Sequence, residues 1–443
     1  MKATHVLFMH CDALHADVLR HTKWPLLKTP HLDRLASESV VFDNAFVQYP
    51  TCVPSRASFT TGFYPQQLGL FNHSYVVPDR IPSLADRLKA CGYESICFGR
   101  THGGQKGFDV IPNRKGKEAY GCSNLGFHAD SDSITGTFMG PIEDHHDWAA
   151  ANDFEKWLKA RTDERPIFAS VGFMAPHTPM YPPKEFDGTY LPESMVLPDF
   201  DPAELENKPE KQTYIWKERW GIHPEPVRRT IMAKYFDLCT YVDACIGKVL
   251  RALEAKGILE QTALFFFADH GEMLGEHGMI GKWFSLYDDA ARTPLAVRLP
   301  GKLFAGERRE TLVELVDLVP TALELLDESG AKELPGRSLI PSITDATKPH
   351  REYVFSMMET ARMIRSHEWK LCVHTGRSSL GYSDTLFHDD EGELYDLIND
   401  PSEKRNLYHE PKHAAKRWAL ARRLIEHEIQ IQHDLGSRGP NHH

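Results

Sequence analysis

The 443-residue sequence has no apolar run approaching the roughly 20 residues that cross a bilayer, no C-x-x-C pair, no short-period repeat and no low-complexity stretch. The first absence excludes a membrane-spanning helix, and the second excludes a zinc ribbon or thioredoxin-like motif. The other two exclude solenoids and disordered tails. Positive charge is also short. The 51 Lys and Arg residues face 62 Asp and Glu, a net charge of −11 with the 24 His neutral. The broad basic face that nucleic acid requires is therefore not expected. An anionic substrate is still compatible, because a few local cations outweigh a distant acidic surface. No apolar leader with a small-residue cleavage site is visible: Met1-Lys2-Ala3-Thr4-His5 enters a strand-like run at once. The expected location is cytoplasmic for the sequence as it stands, and secreted or periplasmic if a leader has been removed.

What is present is an ordinary globular composition, 41% hydrophobic and 26% charged. The length exceeds one small core and predicts a large α/β domain with a minor second one. The eight cysteines (Cys11, Cys52, Cys91, Cys97, Cys122, Cys239, Cys245 and Cys372) are not spaced like a disulfide-rich module. Buried, reduced thiols are the expectation for all but Cys52.

Short apolar runs alternate with helical periodicity, the pattern of a mainly parallel sheet covered by helices. Strands are predicted at 4–9, 94–99, 166–173 and 262–268, and helices at 83–91, 148–161, 229–256 and 312–327. Residues 103–147, 181–226 and 378–390 read as long loops, where specificity is expected to lie. After Pro349 the texture changes to strands at 352–359, 361–375 and 393–397 and a terminal helix at 411–432, predicting a small antiparallel sheet packed on a helix. The expected division is a catalytic domain, 1–349, and a C-terminal subdomain, 350–443.

Four of the predicted strands run into residues suited to a site: His10, Cys11 and Asp12; Arg100 and His102; His177; Asp269 and His270. Open α/β sheets bind ligands at the carboxyl ends of their strands, so this recurrence points to one shared site. A lone histidine is more often structural, and His10, His73, His145 and His146 are read that way; the last two, in a variable loop, are also placed to touch substrate.

Cys52-Val53-Pro54-Ser55-Arg56 carries the most information. C-x-P-S-R arises by chance in roughly one chain in a thousand of this length. With Ala57-Ser58-Phe59-Thr60-Thr61-Gly62 it resembles the signature of type I sulfatases. Lys28-Thr29-Pro30-His31-Leu32-Asp33-Arg34-Leu35-Ala36 is similar to a second family segment, and Asp269-His270-Gly271-Glu272-Met273-Leu274-Gly275-Glu276-His277-Gly278 to a third. Near the end, Glu393-Leu394-Tyr395-Asp396-Leu397 with Asp400-Pro401 and Glu403 matches a fourth.

The resemblance implies a large mixed, mainly parallel sheet sandwiched by helices, alkaline phosphatase-like, with a small C-terminal α+β domain of antiparallel strands and a helix. It implies sulfate-ester hydrolysis in which a modifying enzyme, the formylglycine-generating enzyme, converts Cys52 to formylglycine. One hydroxyl of the hydrated aldehyde attacks sulfur and the other later expels sulfate. It implies a divalent cation, Ca2+ with Mg2+ or Mn2+ as alternatives, held by Asp12, Asp269, His270 and residue 52. Many family members carry a second Asp where this chain has Ala13, so one ligand is missing. By the same resemblance Arg56 would hold the modified residue, and Lys282 would contact sulfate and the leaving oxygen. His177 would help protonate the leaving group, and His102 would be the base that breaks down the sulfated intermediate. Arg100 replaces the family's lysine, and Asn72 is a candidate hydrogen-bond donor to sulfate. The expected substrate is a sulfated small molecule or glycan, with neither nucleic acid nor membrane as partner.

The nearest alternative is a phosphonate monoester or phosphodiester hydrolase of the same superfamily; Pro54-Ser55 favours the sulfatase. The alternative of another class is a non-catalytic pseudo-enzyme with unmodified Cys52, which nothing in the sequence favours. A two-zinc alkaline phosphatase lacks a second Asp and His cluster of suitable spacing in the sequence.

Overall fold

The computed structural model describes residues 2–20, 23–71, 76–100, 106–109, 134–282, 285–359, 361–374 and 392–436. Its larger sheet has seven strands: β1 (His5–Asp12), β2 (Val40–Phe46), β3 (Glu94–Gly99), β4 (Ile167–Pro176), β5 (Thr262–Ala268), β6 (Arg292–Arg298) and β7 (Arg308–Glu314). They lie in the order β3-β4-β1-β5-β6-β2-β7. The pairs β3/β4, β4/β1, β1/β5 and β2/β7 are parallel, and only β6 runs against its neighbours.

Strand β1 shows why the sheet is a middle layer. All eight of its residues are buried. Leu7, Met9 and Cys11 pack towards Phe154, Ile246 and Val249, on the helices His146–Ala160 and Glu225–Lys256. The alternate residues Val6 and Phe8 pack towards Ala57, Phe59, Leu84 and Leu318 on the other face. Period-two alternation with both faces apolar leaves a continuous hydrophobic run in the sequence, which is why β1 and β5 are legible there.

Strands β2 and β6 do not stand out in the sequence. Pro294 interrupts β6, and the pairing of the two strands shifts register between Phe42 and Ala45; a proline without an N–H is tolerated beside such an irregularity. Residues 312–327 are not one helix. Leu312 and Val313 pair with Asn44 and Ala45 of β2, so the strand continues to Glu314 and the helix is confined to Leu318–Leu326.

The second sheet is antiparallel, β11-β10-β9-β8, from β8 (Val354–Met358), β9 (Ala361–Arg365), β10 (Trp369–His374) and β11 (Gly392–Asp396). Within the run read as one strand over 361–375, residues 361–374 form a hairpin. Its turn closes where the Ser366 N–H donates to the Trp369 carbonyl at 2.8 Å and the Ser366 hydroxyl accepts from the Trp369 N–H at 3.0 Å. The terminal helix, Ala414–Gly436, lays Leu420 and Leu424 on Ile364, Leu371 and Leu394. Among the described residues no helix is long and apolar enough to cross a membrane.

A buried ion cluster ties the start of this region to the larger sheet. Arg351 bonds Asp317 (Nε to Oδ2, 3.2 Å) and Glu314 (3.1 Å), while His350 Nε2 lies 2.9 Å from Asp317. Burial raises the Asp317 carboxyl, but Arg351 and then His350 outweigh it and hold the group below its ordinary range. Removing Arg351 leaves two carboxylates buried without their guanidinium. Arg351→Met is expected to cost about 3–5 kcal/mol, read as a lower urea midpoint. Because Asp317 ionises more readily folded than unfolded, this contribution is full above about pH 4 and fades as pH falls below it. An Arg351→Met protein that unfolds at the wild-type midpoint at pH 7 would refute this account.

Candidate active site

Strands β3, β4, β1 and β5 are adjacent and parallel, so their carboxyl ends share one edge of the sheet. There β1 ends in Asp12, β5 runs into Asp269 and His270, β4 leads to His177 and β3 leads to Arg100. At the β3 tip Gly99 has φ +75°, and a Cβ there would lie 2.0 Å from the Gly172 carbonyl oxygen. Only glycine permits that approach, which lets the Arg100 N–H donate to the same carbonyl at 2.7 Å.

Helix α1 (Cys52–Thr61) is buried along its whole length and begins at Cys52, with Pro54 in its first turn. The Cys52 Sγ lies 3.4 Å from His270 Nε2, 3.6 Å from Asp12 Oδ1 and 3.6 Å from Lys282 Nζ. One turn on, Arg56 is fully buried and donates to Asp269 Oδ2 (Nε, 2.9 Å), Asp12 Oδ2 (3.1 Å) and the Arg100 carbonyl (2.6 Å). The Arg100 side chain adds a second guanidinium 3.4 Å from Asp12 Oδ2.

The charges are unequal across the two carboxylates. Burial and Cys52 push the Asp12 carboxyl up, but His177, Arg56 and Lys282 together hold it below its ordinary value. Burial first, and Asp12 second, push Asp269 above its ordinary value. Burial lowers the Lys282 ammonium, but Cys52, Asp12 and Asp269 raise it further, so it stays charged.

The donor set suits a cation. Ligand atoms of Asp12, Cys52, Asp269 and His270 all lie within 4.8 Å of one another, and all four residues are buried. His270 Nδ1 is 2.8 Å from the Gly271 carbonyl, which makes it the N–H and turns the Nε2 lone pair to the cluster. Two carboxylates and one imidazole form an oxygen-dominated set, suited to a hard divalent ion. Ala13, at φ +60°, contributes no ligand. Its N–H instead donates to Asp269 Oδ1 at 3.2 Å, and its carbonyl accepts from the Tyr235 hydroxyl at 2.9 Å.

His177 Nε2 is 2.6 Å from Lys282 Nζ and 3.8 Å from Asp12 Oδ1, and its Nδ1 contacts the Thr178 carbonyl. The structure thus gathers Asp12, Cys52, Arg56, Arg100, His177, Asp269, His270 and Lys282. Asn72, His73, His102 and the loop residues 378–390 lie outside the described residues. His10 is buried against Phe59 and Phe267, with Nε2 3.4 Å from the Ser170 hydroxyl.

A second grouping, His145, His146 and Asp147, also brings ligand atoms within 4.8 Å. Its donors are largely engaged. His145 Nδ1 is 2.7 Å from the Tyr241 hydroxyl, and both Asp147 oxygens accept backbone amides. Three supporting residues escaped the sequence analysis. Glu272 accepts from the Leu274 and Gly281 amides and so shapes the loop that delivers Lys282; its place two residues after His270 was a usable signal. Tyr235 and Asp147 act through contacts distant in sequence, and no local pattern marks them.

A sulfatase family model matches residues 4–328, and one described as N-sulphoglucosamine sulphohydrolase, C-terminal, matches 275–430. The chain is 27% identical over 490 residues to the multifunctional alkaline phosphatase superfamily protein PehA of Trinickia caryophylli, covering 94% of this chain and 93% of that one. It is 30% identical over 379 residues to mouse (Mus musculus) iduronate 2-sulfatase, covering 72% and 67%. The solved phosphonate monoester hydrolase of Silicibacter pomeroyi has the same fold: TM-score 0.82 at 24% identity, over 96% of this chain and 95% of that one.

A cation seated among Asp12, Asp269 and His270 is expected to stabilise the folded chain by about 2.7 kcal/mol at 100 times its dissociation constant. Thermal unfolding of chelator-stripped protein should therefore shift upward on adding Ca2+ or Mg2+, and Asp269→Asn should abolish the shift. A melting temperature indifferent to every divalent ion would remove the metal from this site.

Proposed function

The chain belongs to the sulfatase family and is a sulfuric ester hydrolase, and we propose that residue 52, converted from cysteine to formylglycine by a formylglycine-generating enzyme, is its nucleophile. The observation that carries this reading is the place of Cys52. Its Sγ sits in the first turn of a buried helix, 3.4–3.6 Å from Asp12, His270 and Lys282. That sulfur marks where an oxygen of the modified residue would stand.

Asp12, Asp269 and His270 would hold the cation, with Ca2+ the first choice and Mg2+ or Mn2+ as alternatives. Once bound, the ion supplies Lewis acidity that polarises a sulfate oxygen and favours the ionised nucleophile. Arg56 donates to both carboxylates, favouring their ionised forms, and holds them in register. Lys282, a cation next to residue 52, is placed to bind sulfate oxygens and the bridging oxygen. His177 lies beside Lys282 and is suited to hand a proton to the departing alcohol as the sulfur–oxygen bond breaks. Arg100 adds positive charge on the Asp12 side. His102 is assigned the base that releases sulfate and Asn72 a hydrogen bond to it, on the resemblance alone. The substrate class is a sulfated small molecule or glycan. We place the catalytic domain at 1–349 and the C-terminal subdomain at 350–443.

A phosphonate monoester hydrolase activity is the second reading, favoured by the likeness in fold to such an enzyme. Sulfate and phosphonate groups are similar in shape, so one site accommodates both.

Three outcomes are expected. Mass spectrometry of the peptide spanning Cys52, from protein made with the modifying enzyme, should show a lower mass, oxygen having replaced sulfur; Cys52→Ala should lower kcat by at least about 10^3-fold. An unmodified thiol in fully active protein would eliminate the formylglycine mechanism. Separately, kcat/KM on an aryl sulfate should exceed that on the matching aryl phosphonate, and the reverse order would transfer the chain to the second reading.

A further inference from the structure

The ladder between β1 and β4 breaks at the site. Cys11 pairs with Phe173, but the next residue, Asp12, pairs with Pro176. Met174 and Ala175 are skipped by the register of that ladder. Buried amides require a partner. Asp147 supplies it: Oδ1 accepts from the Met174 N–H at 2.7 Å and Oδ2 from the Ala175 N–H at 3.0 Å. The chain then closes on itself, the His177 N–H donating to the Met174 carbonyl at 3.0 Å. One carboxylate thus fastens the irregularity that immediately precedes His177.

The fold explains how Asp147 reaches this place. The helix His146–Ala160 connects the parallel strands β3 and β4, so it runs back along the sheet and its first turn lies at the strands' carboxyl ends. Its contact with the β3 tip agrees, since a Cβ on Gly99 would meet Ala150 at 3.0 Å. Asp147 is fully buried in that first turn, where the helix dipole favours negative charge. Burial raises its carboxyl, but the His146 ring 3.2 Å away, the His145 ring and the Met174 amide together hold it below its ordinary value. Bulges next to active sites commonly re-aim a side chain. Here the side chain re-aimed is His177, whose Nε2 comes to 2.6 Å from Lys282.

We propose that Asp147 is a positioning residue: by holding both skipped amides of β4 it sets the reach of His177 towards Lys282 and the leaving-group oxygen. This rests on the reading of His177 as the proton donor. Asp147→Asn keeps the shape but turns an amide N–H against a backbone N–H. A displaced donor slows esters whose alcohol needs a proton to leave and spares those whose alcohol leaves as a stable anion.

The test compares an alkyl sulfate with 4-nitrophenyl sulfate in the formylglycine-bearing enzyme. Asp147→Asn should lower kcat on the alkyl sulfate by about 10- to 100-fold, with KM little changed, and leave the nitrophenyl ester close to wild type. In a His177→Ala background the same substitution should add nothing. Equal losses on both esters, or losses that add to those of His177→Ala, overturn the assignment of Asp147. If His177→Ala itself shows no preference for the alkyl ester, the reading of His177 falls, and the inference with it. Asp147→Ser, which keeps one acceptor without the opposing N–H, gives the same comparison should Asp147→Asn fail to fold.

Discussion

The Arg56 guanidinium has no exposed surface and bridges two carboxylates, Asp12 from β1 and Asp269 from the end of β5. Neighbouring parallel strands bring these acids together, and burial in low dielectric would force one to take up a proton. A planar, permanently charged fork answers both at once, where a lysine could bind only as a point charge. The same fork reaches the Arg100 carbonyl, so a single side chain on α1 ties together the tips of β1, β5 and β3. With these tips fastened, Cys52, one turn earlier on α1, has a defined address among them.

Strand order does the remaining placement. Because β1 lies between β4 and β5, its end faces His177 on one side and Asp269–His270 on the other. The reversed strand β6 returns the chain beside β5, and the Gly271 N–H donates to the Ala290 carbonyl just before β6 begins. Both ends of the stretch carrying Lys282 are thereby anchored to the sheet.

The antiparallel sheet also bears on that stretch. Lys370 of β10 bonds Asp288 at 3.0 Å, and Lys208 bonds the hydroxyls of Tyr287 and Tyr395 at 2.9 Å each. The Asp288 N–H donates to Glu403 at 2.8 Å. Apart from the partly exposed Asp288 these groups are buried, and a buried polar network is rigid only when its members are satisfied. The C-terminal region thus helps hold the segment just after Lys282.

Local chemistry was enough to read much of this molecule. Continuous apolar runs announced β1 and β5 because strands buried on both faces need them, and C-x-P-S-R marked residue 52 through the types of its neighbours. Pairings between distant segments were not readable. Pro294 hid β6, a strand that is stable only because β5 and β2 flank it. The use of the Ala13 amide, the bridge made by Arg56 and the hold of Asp147 on β4 each join residues more than 25 positions apart. Sequence by itself therefore determined the kinds of element and the chemistry of the strand tips, since period and residue type are local properties. Tertiary structure alone decided which tips meet and which buried charges pair, since those depend on strand order and on what the whole chain removes from water.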